Sequence, residues 1–375
     1  MIRLIAIIIF FLLSLLTVCN APTNLLWYVS ILVTEFCWVF FLITLALLFL
    51  PNKHKRFTPI VSIAGIVTLI FFSLPVVQAY RLSAKIKQEV KTNPLFTNQA
   101  IPTNPFSFSQ MLAGYFKKQI TYKTFTYNVS QTLTLDFYAT TATVKRPCVI
   151  VVHGGSWAGG DNKQLPELNS ELAKAGYHVA SINYRLAPKH LFPAPIQDLS
   201  SAIRYLKANA DKLSIDSNRF VLLGRSAGGQ IVLSAADLLH DASIKGVISF
   251  YGPADMVWGF ANPTNPLVLN SRKVMADYLG GPYNKVPNQY ISSSATTTAT
   301  SFTPATLLIH GKNDPLVSYQ HSERLSAKLD NVHASHYELY LPWATHGFDW
   351  TLNGPGGQLS TWTVLRFLES VVATR

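Results

Sequence analysis

The chain has 375 residues, enough for one large α/β domain with an appendage. A mean hydropathy of +0.23 and only 13% charged residues are unusual for a soluble enzyme, and the cause is local: three long apolar runs lie in the first 80 residues. The formal net charge of +12 would suit nucleic acid. Yet the basic residues are scattered, with short clusters only at Lys53-His54-Lys55-Arg56 and between Arg81 and Lys91, and neither zinc-finger spacing nor an aromatic RNP pattern accompanies them. That argues against a nucleic-acid reader and leaves a membrane surface or plain solubility. Three cysteines without a Cys-x-x-Cys give no framework, so neither metal nor disulfides are called for.

In chain order, the apolar runs predict three membrane spans, at residues 4–19, 25–50 and 58–77. The first, led by Arg3, competes with a signal-peptide reading, but the residues before Asn20 make a poor cleavage site. Glu35 inside the second run is expected to face a neighbouring helix in its protonated form rather than to carry transport. Arg3 and the basic loop at 53–56 place the later residues outside the cytoplasm, against the pull of Arg81, Lys85, Lys87 and Lys91. A connector rich in Asn, Thr, Pro and Phe follows, residues 81–119.

From residue 120 to 375 the pattern is that of an alternating strand–helix domain. Thr121–Val129 and Thr132–Tyr138 alternate as an antiparallel pair, and Cys148–Val152 is a continuous apolar run, hence a buried strand. It ends in His153-Gly154-Gly155-Ser156-Trp157, where the N–H groups of Gly154 and Gly155 are candidate oxyanion donors and His153 orders the loop. A helix at Leu165–Ala175, a strand at Tyr177–Ile182 and a helix at about Ile196–Ala208 follow, with Asp198 expected to pair with Arg185.

Phe220–Leu223 then leads into Gly224-Arg225-Ser226-Ala227-Gly228, a G-x-S-x-G between a strand and a helix. The glycines are required because a serine on so sharp a turn is strained and a side chain beside it would strike the neighbouring strand or helix. The turn exposes the Ser226 hydroxyl and sets the Ala227 N–H at a helix N-terminus, a third oxyanion donor. For Arg225 two readings stay open, a contact with the insertion or a solvated surface position. After the strand Val247–Tyr251, residues 253–303 form a polar excursion with a helix at Ser271–Leu279, of the kind that lines or lids a pocket.

The strand Ala305–His310 delivers Asp314, and after a helix (Ser318–Leu329) and a strand (Tyr337–Leu341) a loop delivers His346, before a last helix at Ser360–Val372. Ser226, Asp314 and His346 stand in the order Ser…Asp…His, each just past a strand. The chemistry needs all three: an imidazole to take the serine proton and return it to the leaving group, and a carboxylate to hold the imidazole's tautomer and stabilise its cation. His310, His321, His333 and His336 are alternative bases, and Asp255 and Asp349 alternative acids.

These motifs together, with Tyr184-Arg185-Leu186-Ala187-Pro188, Gly311-Lys312-Asn313-Asp314 and His346-Gly347-Phe348, resemble the α/β-hydrolases of the hormone-sensitive-lipase-like esterase group and its feruloyl/acetyl-esterase-like branch. The resemblance covers about residues 120–375 and implies an α/β-hydrolase fold: an eight-stranded, mostly parallel sheet with helices on both faces. It also implies cofactor-free hydrolysis of short-to-medium carboxylic esters, small molecules as substrates. Ser156 departs from the pattern where a third glycine is frequent, and Lys189 where Glu is. The expectation is a membrane-anchored serine carboxylesterase. Alternatives are a serine peptidase or thioesterase on the same fold, or a catalytically silent binding module.

Overall fold

The computed structural model describes residues 2–50, 58–96, 103–114, 119–142 and 144–373. The basic loop at 53–56 and the Ile101-Pro102 part of the connector lie outside the described residues.

Eight strands form one sheet: β1 Lys123–Asn128, β2 Leu133–Tyr138, β3 Arg146–Val152, β4 His178–Ile182, β5 Ile215–Arg225, β6 Ile244–Phe250, β7 Ala305–Gly311 and β8 His336–Leu341. Their order is β1-β2-β4-β3-β5-β6-β7-β8; β2 is antiparallel to both β1 and β4, and every other pair is parallel. The expected eight-stranded, mostly parallel α/β-hydrolase sheet is therefore present. Strands buried on both faces explain the continuous apolar runs. In β3, Cys148, Ile150 and Val152 join one core with the helices Ala194–Ala208 and Ala227–Leu238. Val149 and Val151 join the opposite core with the helices Pro166–Lys174 and Pro355–Val371. In the parallel part of the sheet every strand points the same way, so the loops after β3, β5, β7 and β8 meet at one edge.

The N-terminal third departs from expectation. It holds α1 (Ile2–Ser14), α2 (Asn24–Glu35), α3 (Cys37–Phe49) and α4 (Thr58–Thr92). Among the described residues one helix, Pro59–Thr92, is long and apolar enough to cross a bilayer; α2 and α3 would add a second only as one span broken by an 83° bend. By length and composition the described helices therefore support one span, or two with the bent pair, and not the three expected. At 13 residues each, α1 and α3 reach only about 20 Å, short of a hydrocarbon core of about 30 Å. They pack with α4 around Phe10, Phe40 and Phe72 and leave Ile8, Leu12, Leu42, Ile63 and Ile70 exposed.

The reason for the bend is polar. Asn24, Ser30 and Glu35 give α2 partners on the catalytic domain, which lipid could not supply. The amide N–H of Asn24 donates to Leu267 O at 3.0 Å, and Ser30 Oγ donates to Thr345 Oγ1 at 3.1 Å. α4 differs too: it does not end at Val77 but runs on to Thr92, through the start of the predicted connector. Ala79, Ile86 and Val90, spaced seven and four residues apart, form a stripe in the same core as Val149 and Leu223. Glu89 on this half accepts from Tyr337 of β8 at 2.7 Å. The connector is welded to the domain over this stretch.

Candidate active site

Ser226 follows β5 directly, with φ 53° and ψ −119°. The steric demand on its neighbours is severe: a Cβ at Gly224 would lie 2.1 Å from Gly228 O, and one at Gly228 would lie 2.2 Å from Val152 O. The Ser226 N–H is held by Phe250 O at 2.9 Å, which leaves the side chain free to project from the edge. The hydroxyl makes no hydrogen bond among the described residues and lines a cavity of about 480 Å³ together with Ser156, Trp157, Ala227 and Asp314.

Asp314, after β7, and His346, after β8, meet: His346 Nδ1 lies 2.6 Å from Asp314 Oδ2. The other carboxylate oxygen accepts from the N–H groups of Leu316 and Val317 at 2.8 and 2.9 Å. Burial pushes the Asp314 carboxyl up, but the charges of His346 and His310 and the hydrogen bonds from both outweigh it and hold it well below the usual carboxylate range. An ionised, immobile Asp314 fixes the imidazole with Nδ1 as donor, leaving Nε2 free to accept a proton.

Of the rival groups, His310 is itself a neighbour of Asp314, its Nε2 3.4 Å from Oδ2, and the others are occupied elsewhere. Asp255 caps the helix Met256–Ala261 through Trp258 N at 2.9 Å and pairs with Arg324 at 2.8 Å. His310 bonds Ser322 Oγ and Val317 O, His336 bonds Ser326 Oγ, and His321 meets the Asp255 N–H. His333 lies in the turn before β8, away from the carboxyl ends of the strands. Asp198 does bind Arg185, by Arg185 Nε at 2.8 Å and by its N–H at 2.9 Å.

One expected oxyanion donor is corrected. Gly154 N–H donates to Gln164 Oε1 at 2.7 Å, so it is not free to meet a substrate. The N–H groups of Gly155, Ser156 and Ala227 make no such bond among the described residues. His153 orders this loop, its Nδ1 at 2.7 Å from Gly154 O and its ring stacked on Tyr184.

Sequence reasoning missed two contributors. The first is α2: Trp27 Nε1 donates to the backbone carbonyl of His346 at 2.9 Å, and the two rings stand edge-on with centroids 6.1 Å apart. Asn20, Ala21 and Pro22, just ahead of α2, line the same cavity as Ser226. Glu35 faces no membrane helix. It accepts from Gly356 N at 3.0 Å and Gly357 N at 3.4 Å, at the start of the last helix, and burial pushes its carboxyl up to about 8 against those bonds. The second is Arg225, which neither meets the insertion nor is solvated: it is 1% exposed and its Nε donates to Asp349 at 2.5 Å. Residues of the excursion, Asn262 to Asn265 and Val268 among them, also line the cavity.

A family model described as BD-FAE matches residues 135–329, just over half of the chain. The chain belongs to the BD-FAE family. The matched stretch holds the elbow and Asp314 and ends before His346. Among relatives of this BD-FAE chain, Esterase LipC of Mycobacterium tuberculosis is 30% identical over 248 residues, 61% of this chain and 59% of LipC. Carboxylesterase NlhH of the same species is 40% identical over 96 residues, 25% of this chain and 30% of NlhH. The chain thus spans less than two thirds of the length of these curated relatives. Among solved structures, the thermostable carboxylesterase EstE1 from a metagenomic library matches with a TM-score of 0.60 at 18% identity, over 79% of this chain and 98% of that one. A bacterial heroin esterase matches with a TM-score of 0.58 at 22% identity, over 71% and 89%. At these identities the likeness is one of fold.

Proposed function

We propose that this BD-FAE chain is a membrane-anchored serine carboxylesterase acting on short-to-medium acyl esters. The observation that carries the reading is the 2.6 Å bond between His346 Nδ1 and Asp314, with Ser226 presented by a strained elbow into the cavity that Asp314 also lines. In the proposed reaction His346 Nε2 takes the Ser226 proton as Oγ attacks the ester carbonyl. The N–H groups of Gly155 and Ala227, with Ser156, receive the developing oxyanion. His346 then protonates the departing alcohol, and water repeats the sequence on the acyl-enzyme. This route needs no cofactor. The names of the curated relatives, esterases and carboxylesterases, point the same way. Anchoring rests on α4 and on the exposed apolar side chains of α1, α3 and α4.

The test is kcat/KM of the full chain in detergent on p-nitrophenyl acetate, butyrate, octanoate and laurate, with Ser226→Ala as control. Activity should peak at acetate to octanoate and fall by at least about 10³-fold in the variant. A peak at laurate would replace the acyl preference proposed, and activity within tenfold of wild type in Ser226→Ala would remove Ser226 as nucleophile.

A further inference from the structure

Ser226 and His346 sit on separate loops, after β5 and β8, and two strands lie between their carriers in the sheet. Proton transfer requires their side chains to be held at hydrogen-bond separation. Asp314 fixes the tautomer and tilt of the imidazole, but it grips the ring only, and from the β7 loop. Something else must set the distance between the histidine loop and the elbow.

Arg225 is covalently next to Ser226, and Asp349 lies three residues beyond His346. Their side chains form an ion pair that is 2% and 1% exposed. The second oxygen of Asp349 accepts from the Tyr251 hydroxyl, at the end of β6. The Tyr251 ring in turn packs on the His346 imidazole, centroids 4.3 Å apart, and edge-on against Phe348. The Arg225 guanidinium also lies 5.7 Å from the centroid of the Phe250 ring, whose own carbonyl holds the Ser226 N–H. One buried cluster therefore touches the backbone of the nucleophile, the loop of the base and the face of its ring.

Stability does not explain the pair. Removing two charges from water costs about as much as their attraction returns, and apolar residues of similar volume often do as well or better. Here Nη1 and Nη2 of Arg225 have no hydrogen-bond partner among the described residues, which adds to the cost. What the pair supplies that two apolar side chains would not is a directional link.

We infer that Arg225, Asp349 and Tyr251 are positioning residues, a buried clamp that sets the His346 loop against the nucleophile elbow. None of them hydrogen-bonds Ser226 Oγ or His346 Nε2 among the described residues; they act through the loop and the ring. The inference rests on the reading of Ser226 as nucleophile. The test replaces the pair by an apolar one, Arg225→Met with Asp349→Leu, beside Tyr251→Phe, which keeps the ring and removes the hydroxyl. Readouts are melting temperature, kcat and KM on p-nitrophenyl butyrate, and the rate at which an alkyl fluorophosphonate labels Ser226, followed by mass spectrometry.

The double variant should melt within a few degrees of wild type, keep KM within threefold and lose at least tenfold in kcat and in labelling rate alike. Tyr251→Phe should lose about threefold to tenfold in kcat with KM unchanged. A folded double variant with kcat within twofold of wild type would overturn the clamp. Should the double variant fail to fold, wild-type kcat in Tyr251→Phe would overturn it instead. Absence of labelling at Ser226 in the wild type would overturn the hydrolase reading and the clamp with it.

Discussion

Asp314→Asn is the substitution whose outcome the geometry constrains most tightly. Oδ1 of Asp314 accepts two backbone N–H groups, from Leu316 and Val317, and Oδ2 faces His346 Nδ1. An asparagine amide has one oxygen and one nitrogen. The oxygen must stay with the two N–H donors, because an NH₂ group there would set donors against donors. The amide nitrogen is thereby turned on His346 Nδ1 and donates to it. The imidazole must then carry its proton on Nε2, the nitrogen that should accept from Ser226. Such a tautomer error in a Ser-His-Asp triad lowers kcat by about 10⁴-fold, near 5.5 kcal/mol of barrier, while substrate contacts are untouched.

The assay is steady-state hydrolysis of p-nitrophenyl butyrate near pH 7.5, with the melting temperature measured in parallel. KM should change by less than about threefold while kcat falls by 10³ to 10⁴. Asp255→Asn is the matched control, since that carboxylate caps a helix and pairs with Arg324. Its kcat should hold within a few-fold. A folded Asp314→Asn enzyme with kcat within tenfold of wild type would refute the assignment of Asp314 as the orienting acid.

Trp27→Phe keeps an aromatic ring on α2 but strips the buried His346 carbonyl of its donor, a loss of about 1–3 kcal/mol. Steady-state kinetics should record a kcat about tenfold lower at near-constant KM, and an unchanged kcat would mean that α2 only covers the site. His321 is predicted to make the protein acid-sensitive. Burial, then the charge of His310, lowers it to about 3 from its ordinary 6.5. Between those values the unfolded chain binds more protons, so the stability it contributes is present above pH 6.5 and is lost as pH falls towards 3. At pH 5 that amounts to about 2 kcal/mol, so urea midpoints of His321→Gln should fall less between pH 7 and pH 5 than those of wild type. Equal falls would refute the assignment.

What could be read from the sequence was whatever a local rule enforces. Ser226 could be found because its turn admits no side chain at 224 or 228, and Asp314 and His346 because a parallel sheet delivers them in one order to one edge. The remainder depended on distant partners. The run 25–50 satisfies a hydropathy window, which counts apolar residues without asking what they face. Glu35 finds its donors at Gly356 and Gly357, and Trp27 its acceptor at His346, both over 300 residues away. The polar residues Asn24, Ser30, Thr34 and Glu35 in one half of that run were the available hint. In the same way the Asn, Thr, Pro and Phe of residues 81–119 suggested a linker, although Ala79, Ile86 and Val90 carried a helical stripe. Gly154 is not free as a donor because a glutamine ten residues on, Gln164, takes its N–H, a detail that no motif encodes.

The continuity of α4 has a mechanical consequence. One helix passes without a break from the apolar stretch to a half that is fastened to β8 and to the sheet core. With that stretch inserted in a bilayer, the catalytic body would be held near one height, with Pro75, which lacks the N–H to close its turn of the helix, as the point where its tilt could give. Reach, rather than binding strength, would then sort substrates. Esters whose acyl group comes to rest at that level would be processed, and chemically identical ones held nearer to or farther from the surface would not.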